Sequence, residues 1–288
     1  FRSIASQRPW QERASVAMLM LTAFTVPLST ALGCSLFPLA ATGLWLASGR
    51  FLHLPSLLHK NIIAAISTLL FLWLACSILY SEANNAEAIS VLKKYRELLF
   101  VPIFMSLIHT ELDRRRILNS LAIGLCVALV ISFLQAGSVI PLYKGHAAPS
   151  SSITHGLMMA WLAFWLMHKA HRCGTLLPWA GVALIAVDLL LFVHASTGIV
   201  LLFSGCICFL WQIHPWHRAL TYTSAVAAAG ILTYSASTDF KSLVQGDLNS
   251  WRKSTPDKPA SGGAGQRLEF WRNTISIIHQ APLTGPGI

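Results

Sequence analysis

Two stretches of the chain hold cations at spacings suited to anion chemistry. "VLKKYRELLF" (91–100) carries Lys93, Lys94 and Arg96, and "GQRLEFWRNTISIIHQ" (265–280) carries Arg267 and Arg272 around Trp271. A guanidinium stays ionised and grips a phosphate through two parallel N–H donors, while an ammonium adds a compact point charge. A third stretch, "ALIAVDLLLFVHAS" (183–196), sets a single carboxylate, Asp188, in an apolar run that ends at His194 and Ser196. Lys93, Lys94 and Arg96 could form an anion site, and Asp188 could pair with a cation and orient it. No Asp-x-Asp pair or His cluster accompanies them, so the expected chemistry uses neither a metal nor a cofactor.

The elements that would position these residues follow from composition. Of 288 residues, 55% are hydrophobic and only 11% are charged. A soluble domain carries about 25% charged residues, so this chain cannot cover a water-facing surface. A multi-pass membrane protein is the class that fits. The net charge of +10 does not come from one patch, because the basic residues sit in clusters between apolar runs. That pattern reads as membrane topology and not as nucleic-acid binding. The six cysteines lie mostly inside apolar runs and read as packing thiols.

A span needs about 20 largely apolar residues, and the pattern predicts nine of them. They cover roughly 15–33, 36–50, 61–80, 90–109, 117–136, 154–169, 175–194, 197–213 and 218–236. Every second loop is basic: Arg2, Arg8 and Arg13, then Arg50 and Lys60, then Arg114 to Arg116, then Lys169 and Arg172, then Arg218. By the positive-inside rule these loops and the N-terminus are cytoplasmic. Residues 1–236 then form a helical bundle, and 237–288 begin an outer, periplasmic segment.

On this topology Lys93, Lys94 and Arg96 open the fourth span on the outer side, where positive charge is scarce. Two roles fit them: snorkelling to headgroups with local pairing to Glu97, or an anion site at the outer surface. Asp188 lies about 9 Å inside the outer end of its span. An isolated carboxylate there needs a partner, and Lys94 or Arg96 is the expected one. The pairing fits a structural role or the orienting of a catalytic cation. His194 fits an interfacial anchor or a site residue. Leu268, Trp271, Ile275 and Ile278 form one helical stripe between Gly/Pro breaks, expected to lie on the membrane or on other spans. Arg267, in that helix's first turn, is either a solvated surface group or turned toward an anion.

The closing stretch "GQRLEFWRNTISIIHQAPLTGPG" (265–287) resembles the pattern G-x-R-x-x-x-W followed by P-x-x-G-x-G of the O-antigen ligase and O-antigen polymerase family of bacterial envelope proteins. "YSEANNAEAISVLKKYRELLFVPIF" and "SSITHGLMMAW" resemble that family's acidic outer loop with the span after it, and the opening of its sixth span. The resemblance implies a fold of about twelve transmembrane helices with a large periplasmic loop after the ninth. The chain then reads as cut at both ends, with about three spans and part of the loop beyond it. It also implies transfer of a glycan from undecaprenyl diphosphate to a hydroxyl acceptor at the periplasmic face, lipid A-core in the ligases. Arg267 matches the motif arginine, which the resemblance makes a catalytic contact to the diphosphate, with Lys93, Lys94, Arg96 and Arg272 supplying further field. Asp188, His194 and Ser196 support them. The family's second arginine, in an S/G-R-T-G stretch, is replaced here by Ser196, ahead of matching Thr197 and Gly198. The family's His base would lie in the loop beyond this chain.

The resemblance therefore implies a glycan transferase of the bacterial inner membrane, metal-independent, and most simply an O-antigen ligase in lipopolysaccharide biosynthesis. Its partners would be the lipid-linked glycan donor, the lipid A-core or another glycan acceptor, and membrane lipids. A polymerase or a protein O-oligosaccharyltransferase of the same family differs only in acceptor. A secondary transporter or lipid flippase remains the alternative from another class.

Overall fold

The computed structural model describes residues 10–81, 84–108, 110–142, 149–193, 196–236, 241–242, 245–246, 249 and 263–280, and every regular element among them is helical. In order these are α1 (Trp10–Thr25), α2 (Phe37–Ala47), α3 (Leu54–Lys60), α4 (Ile62–Ser77), α5 (Asn85–Lys94) and α6 (Glu97–Leu107). There follow α7 (Glu111–Ala136), α8 (Ser152–Cys173), α9 (Leu177–Val187), α10 (Ser196–Ile213), α11 (Trp216–Ala236) and α12 (Gly263–Gln280). A π-helical turn, Leu32–Leu36, leads into α2, and a second, Asp188–Val193, continues α9.

Local chemistry sets the helix ends. The Asn61 side chain accepts from the Ile63 and Ala64 N–H groups and so caps α4. Ser151 does the same for α8 through Thr154 N–H, and Gly174 closes α8 in the left-handed region at φ 63°. Gly49, at φ 71°, ends α2 in the same way and turns the chain into a 3-10 segment, Arg50–His53.

The chain divides into two compact units. One is drawn from Phe1–Val26, Thr30–Leu121 and Phe270–Ile288, the other from Pro27–Ser29 and Ala122–Glu269. In the first, α1 lies on α2, and α6 packs on α1, α2, α3 and α4. Its core is Leu19, Ala41, Trp45, Ile103 and Leu107. In the second, α8 lies between α9 and α10, and α11 packs on α10. The buried face of α8 repeats at helical spacing through His155, Met159, Leu162, Ala163, Met167 and Ala170. Phe209 of α10 meets the edges of His168 and Trp179, with centroids 5.1 and 6.0 Å away.

The expectation of nine straight spans needs correction. Among the described residues, two helices are long and apolar enough to cross a membrane, Ile62–Tyr80 and Glu111–Ala136. They match the expected third and fifth spans. Leu32–Ala47 and Arg50–Lys60 reach that length only as a pair bent by 85°. The expected fourth span breaks at Tyr95–Arg96 into α5 and α6, and the expected seventh stops being α-helical at Asp188. Several of the apolar runs are cut into shorter pieces, by the π turns Leu32–Leu36 and Asp188–Val193, the 3-10 segment Arg50–His53 and the turn at Tyr95–Arg96. The expected division at residue 236 concerns sides of a membrane, and the two packing units follow a different boundary.

Candidate functional site

The N-terminal ends of α8 and α10 cross in backbone contact within the second unit. A Cβ placed on Gly198 would lie 2.6 Å from Gly156 Cα, closer than any real side-chain carbon sits. Glycine on both helices is what permits this approach. The crossing draws in the residues beside it: His155 precedes Gly156, and Thr197 precedes Gly198.

Beside the crossing lies a buried polar group. Asp188 is 0% exposed and His155 2%. Ser132 Oγ donates to Asp188 Oδ1 at 2.5 Å, and His155 Nε2 lies 2.8 Å from Asp188 Oδ2. Ser132 comes from the last turns of α7, His155 from the first turn of α8, and Asp188 from the start of the π turn. A carboxylate removed from water needs such donors, because its desolvation is otherwise costly. π turns interrupt regular helices most often at functional positions, and this one begins at the charged residue itself.

The partner expected for Asp188, Lys94 or Arg96, is replaced by Ser132 and His155. The reason lies in the breaks of the apolar runs. Lys94 ends α5 and Arg96 precedes α6, both in the first unit, whereas Asp188 is buried in the second. Sequence reading missed Ser132 and His155 as site residues. Their signals were present: a lone polar Ser in "LVISFLQA", and a His one turn inside a Ser-capped helix in "SSITHG".

Arg267 reaches the other side of the crossing. Its Nη2 donates to Thr197 Oγ1 at 3.1 Å, and its side chain is exposed. Thr197 stands in the first turn of α10, where helix N–H groups have no intrahelical acceptor. An exposed guanidinium and a helix N-terminus both favour an anion. No family model, no curated protein and no solved structure matches the chain.

The other expected cations belong to the first unit. Lys93 and Lys94 are exposed in the last turn of α5, where positive charge complements the helix dipole. Arg96 is half-buried and donates from Nη2 to Ser35 Oγ at 2.6 Å. Arg272 is exposed on α12. All four belong to the first unit and Arg267 to the second, so the five cations divide between the units. Trp271, 72% exposed, and Ile275 and Ile278 leave the stripe of α12 uncovered by protein. His194 lies outside the described residues, as does the Ser196 side chain.

Proposed function

We propose that the chain is part of a transferase that moves a glycan from undecaprenyl diphosphate to a hydroxyl acceptor at the outer face of the bacterial inner membrane. Lipid A-core is the acceptor that fits best. The observation that carries the reading is the contact of Arg267 with Thr197. It joins the two stretches, "GQRLEFW" and "STG", that resemble the ligase family's arginine-bearing motifs. On this reading the two long apolar helices cross the membrane, with basic loops in the cytoplasm and the start of α10 outside.

The chemistry follows from the leaving group. A lipid diphosphate departs readily if its charge is held in line with the acceptor oxygen. Arg267 supplies a permanent, bidentate cation, and the first turn of α10 supplies backbone donors for the negative charge that builds as the glycosidic bond breaks. Ser196 cannot act as a second guanidinium, so Arg267 carries more of this load than one arginine of a pair would. The acceptor proton goes to a general base, which in the family that the chain resembles is a histidine of the large outer loop. The displacement is direct, with inversion at the anomeric carbon. Trapping a covalent glycosyl-enzyme would exclude it.

Complementation of a ligase-deficient strain with the full-length gene tests the reading, with lipopolysaccharide separated on a gel. Arg267→Ala should abolish the high-mass ladder, a loss of about 100-fold or more in transfer, as removal of one charge-stabilising donor does elsewhere. Arg267→Lys should recover only part, because it loses the bidentate geometry. An unchanged ladder with Arg267→Ala would remove the diphosphate role.

One observation favours a second reading. Asp188 and His155 are ionisable, buried, and set where a helix is interrupted, as in proton-coupled transporters. Proton-coupled flux in proteoliposomes that disappears in Asp188→Asn, with transfer absent throughout, would select it.

A further inference from the structure

Within the first unit, a cavity of about 220 Å³ opens beside the elbow between Leu32–Ala47 and Arg50–Lys60. Arg50, His53, Ser56 and Lys60 line it, with Leu57 and Met105 as its apolar wall. No carboxylate is among the lining residues. His53, Ser56 and Lys60 follow at spacings of three and four, so they share one helical face.

Arg50 is anchored for this position. Its Nη2 pairs with Glu12 Oε1 at 2.7 Å, and its Nη1 donates to the Ser106 carbonyl at 3.2 Å. Its Nε is buried and has no partner among the described residues. The two contacts hold the guanidinium in place beside the cavity, where its permanent charge adds to that of Lys60. A water needs only about 10–15 Å³ of such space, so the cavity has room for a much larger group.

We propose that this cavity binds the phosphate of an anionic phospholipid headgroup, in the leaflet on the side of the basic loops. The apolar surroundings favour a lipid over free phosphate. Phe51 and Leu52 are exposed next to the cavity, and the elbow turns the Arg50–Lys60 segment 85° away from the helix before it. If Leu32–Ala47 runs along the membrane normal, that segment lies nearly in the interface plane. There its apolar residues enter the acyl boundary while its cations meet headgroups. The inference depends on the membrane reading and is independent of glycan transfer.

The test uses the full-length protein purified in detergent. Native mass spectrometry and thermal melting are recorded with phosphatidylglycerol, with phosphatidylcholine and with inorganic phosphate alone. Wild type should retain phosphatidylglycerol and melt higher with it, with no comparable gain from the other two. Lys60→Gln should weaken that retention about fivefold, the worth of one cation near a charged headgroup, and His53→Gln with Lys60→Gln should weaken it further. Lys60→Arg should keep it, and because Lys60 is exposed these variants should melt like wild type without lipid. Equal retention by Lys60→Gln, or equal stabilisation by phosphatidylcholine, would overturn the proposal. Inorganic phosphate raising the melting temperature as much as phosphatidylglycerol would overturn the lipid assignment.

Discussion

Asp188→Ala should lower the melting temperature of the purified protein by about 6–12 °C, the equivalent of about 3 kcal/mol for a chain of this size. The loss comes from two directions. The carboxylate no longer accepts from Ser132 and His155, and the His155 ring nitrogen stays behind without that acceptor in a site that water does not reach. Ser132→Ala and His155→Gln should each cost less, because in either one the carboxylate keeps a donor. The three residues form one network, so the loss in Ser132→Ala with Asp188→Ala should fall short of the sum of the single losses. A strictly additive cycle would mean that the short Ser132–Asp188 bond contributes nothing of its own. Asp188→Asn separates charge from shape, since the amide fills the same volume but can accept through only one atom.

Gly198→Val should be at least as severe, and Gly198→Ala should already show the effect. The nearest atoms to the added methyl are the Gly156 Cα, carbonyl carbon and carbonyl oxygen, at 2.6, 3.0 and 3.1 Å. Backbone cannot rotate aside as a side chain can, so the two helices must separate. Overpacking of this kind costs about 1–3 kcal/mol, and more where relief needs a helix to move. Thermal melting reads the stability loss. On the transferase reading the same variants should also lose the lipopolysaccharide ladder, because Thr197 moves with α10 and the Arg267 contact goes with it. By contrast, Gly205 faces the side chain of Phe164 at ordinary contact distance, 3.6 Å, so Gly205→Ala should be tolerated. If Gly198→Ala melts like wild type, the helices do not cross in backbone contact in solution.

Much of the architecture is legible in the sequence as apolar runs, and the helical class follows from them. What the runs hide is their interruptions. Asp188 is the one carboxylate among fourteen residues in "ALIAVDLLLFVHAS", and hydropathy averages across it, whereas the backbone widens into a π turn there. At "KKYRE", likewise, periodicity continues across Tyr95 and Arg96 although the helix does not. Arg267 stands out in the sequence as a candidate because its neighbours form a pattern. Thr197 as its hydrogen-bond partner does not, since the two are 70 residues apart. The Asp188 partners failed for a related reason. Depth along a span can be counted from sequence, but rotation about the helix axis and the neighbour it selects cannot. Ser132 and Asp188 stand near the C-terminal ends of their helices and His155 near the N-terminal end of its own, and only packing decides that these three meet.

The π turn also holds chain length in reserve at this point. A π turn is an α-helix holding one residue more than its hydrogen bonding requires. Removing one residue from 189–193 would let the turn close as ordinary α-helix, with the chain on either side keeping its register. A deletion inside the regular helix of α8 or α10 has no such surplus to draw on, and would rotate one side against the other by about 100°. A single-residue deletion scan read by thermal melting should therefore show a milder loss at 189–193 than in the middle of α8 or α10. What such a deletion would change is local: the widened backbone that begins at Asp188.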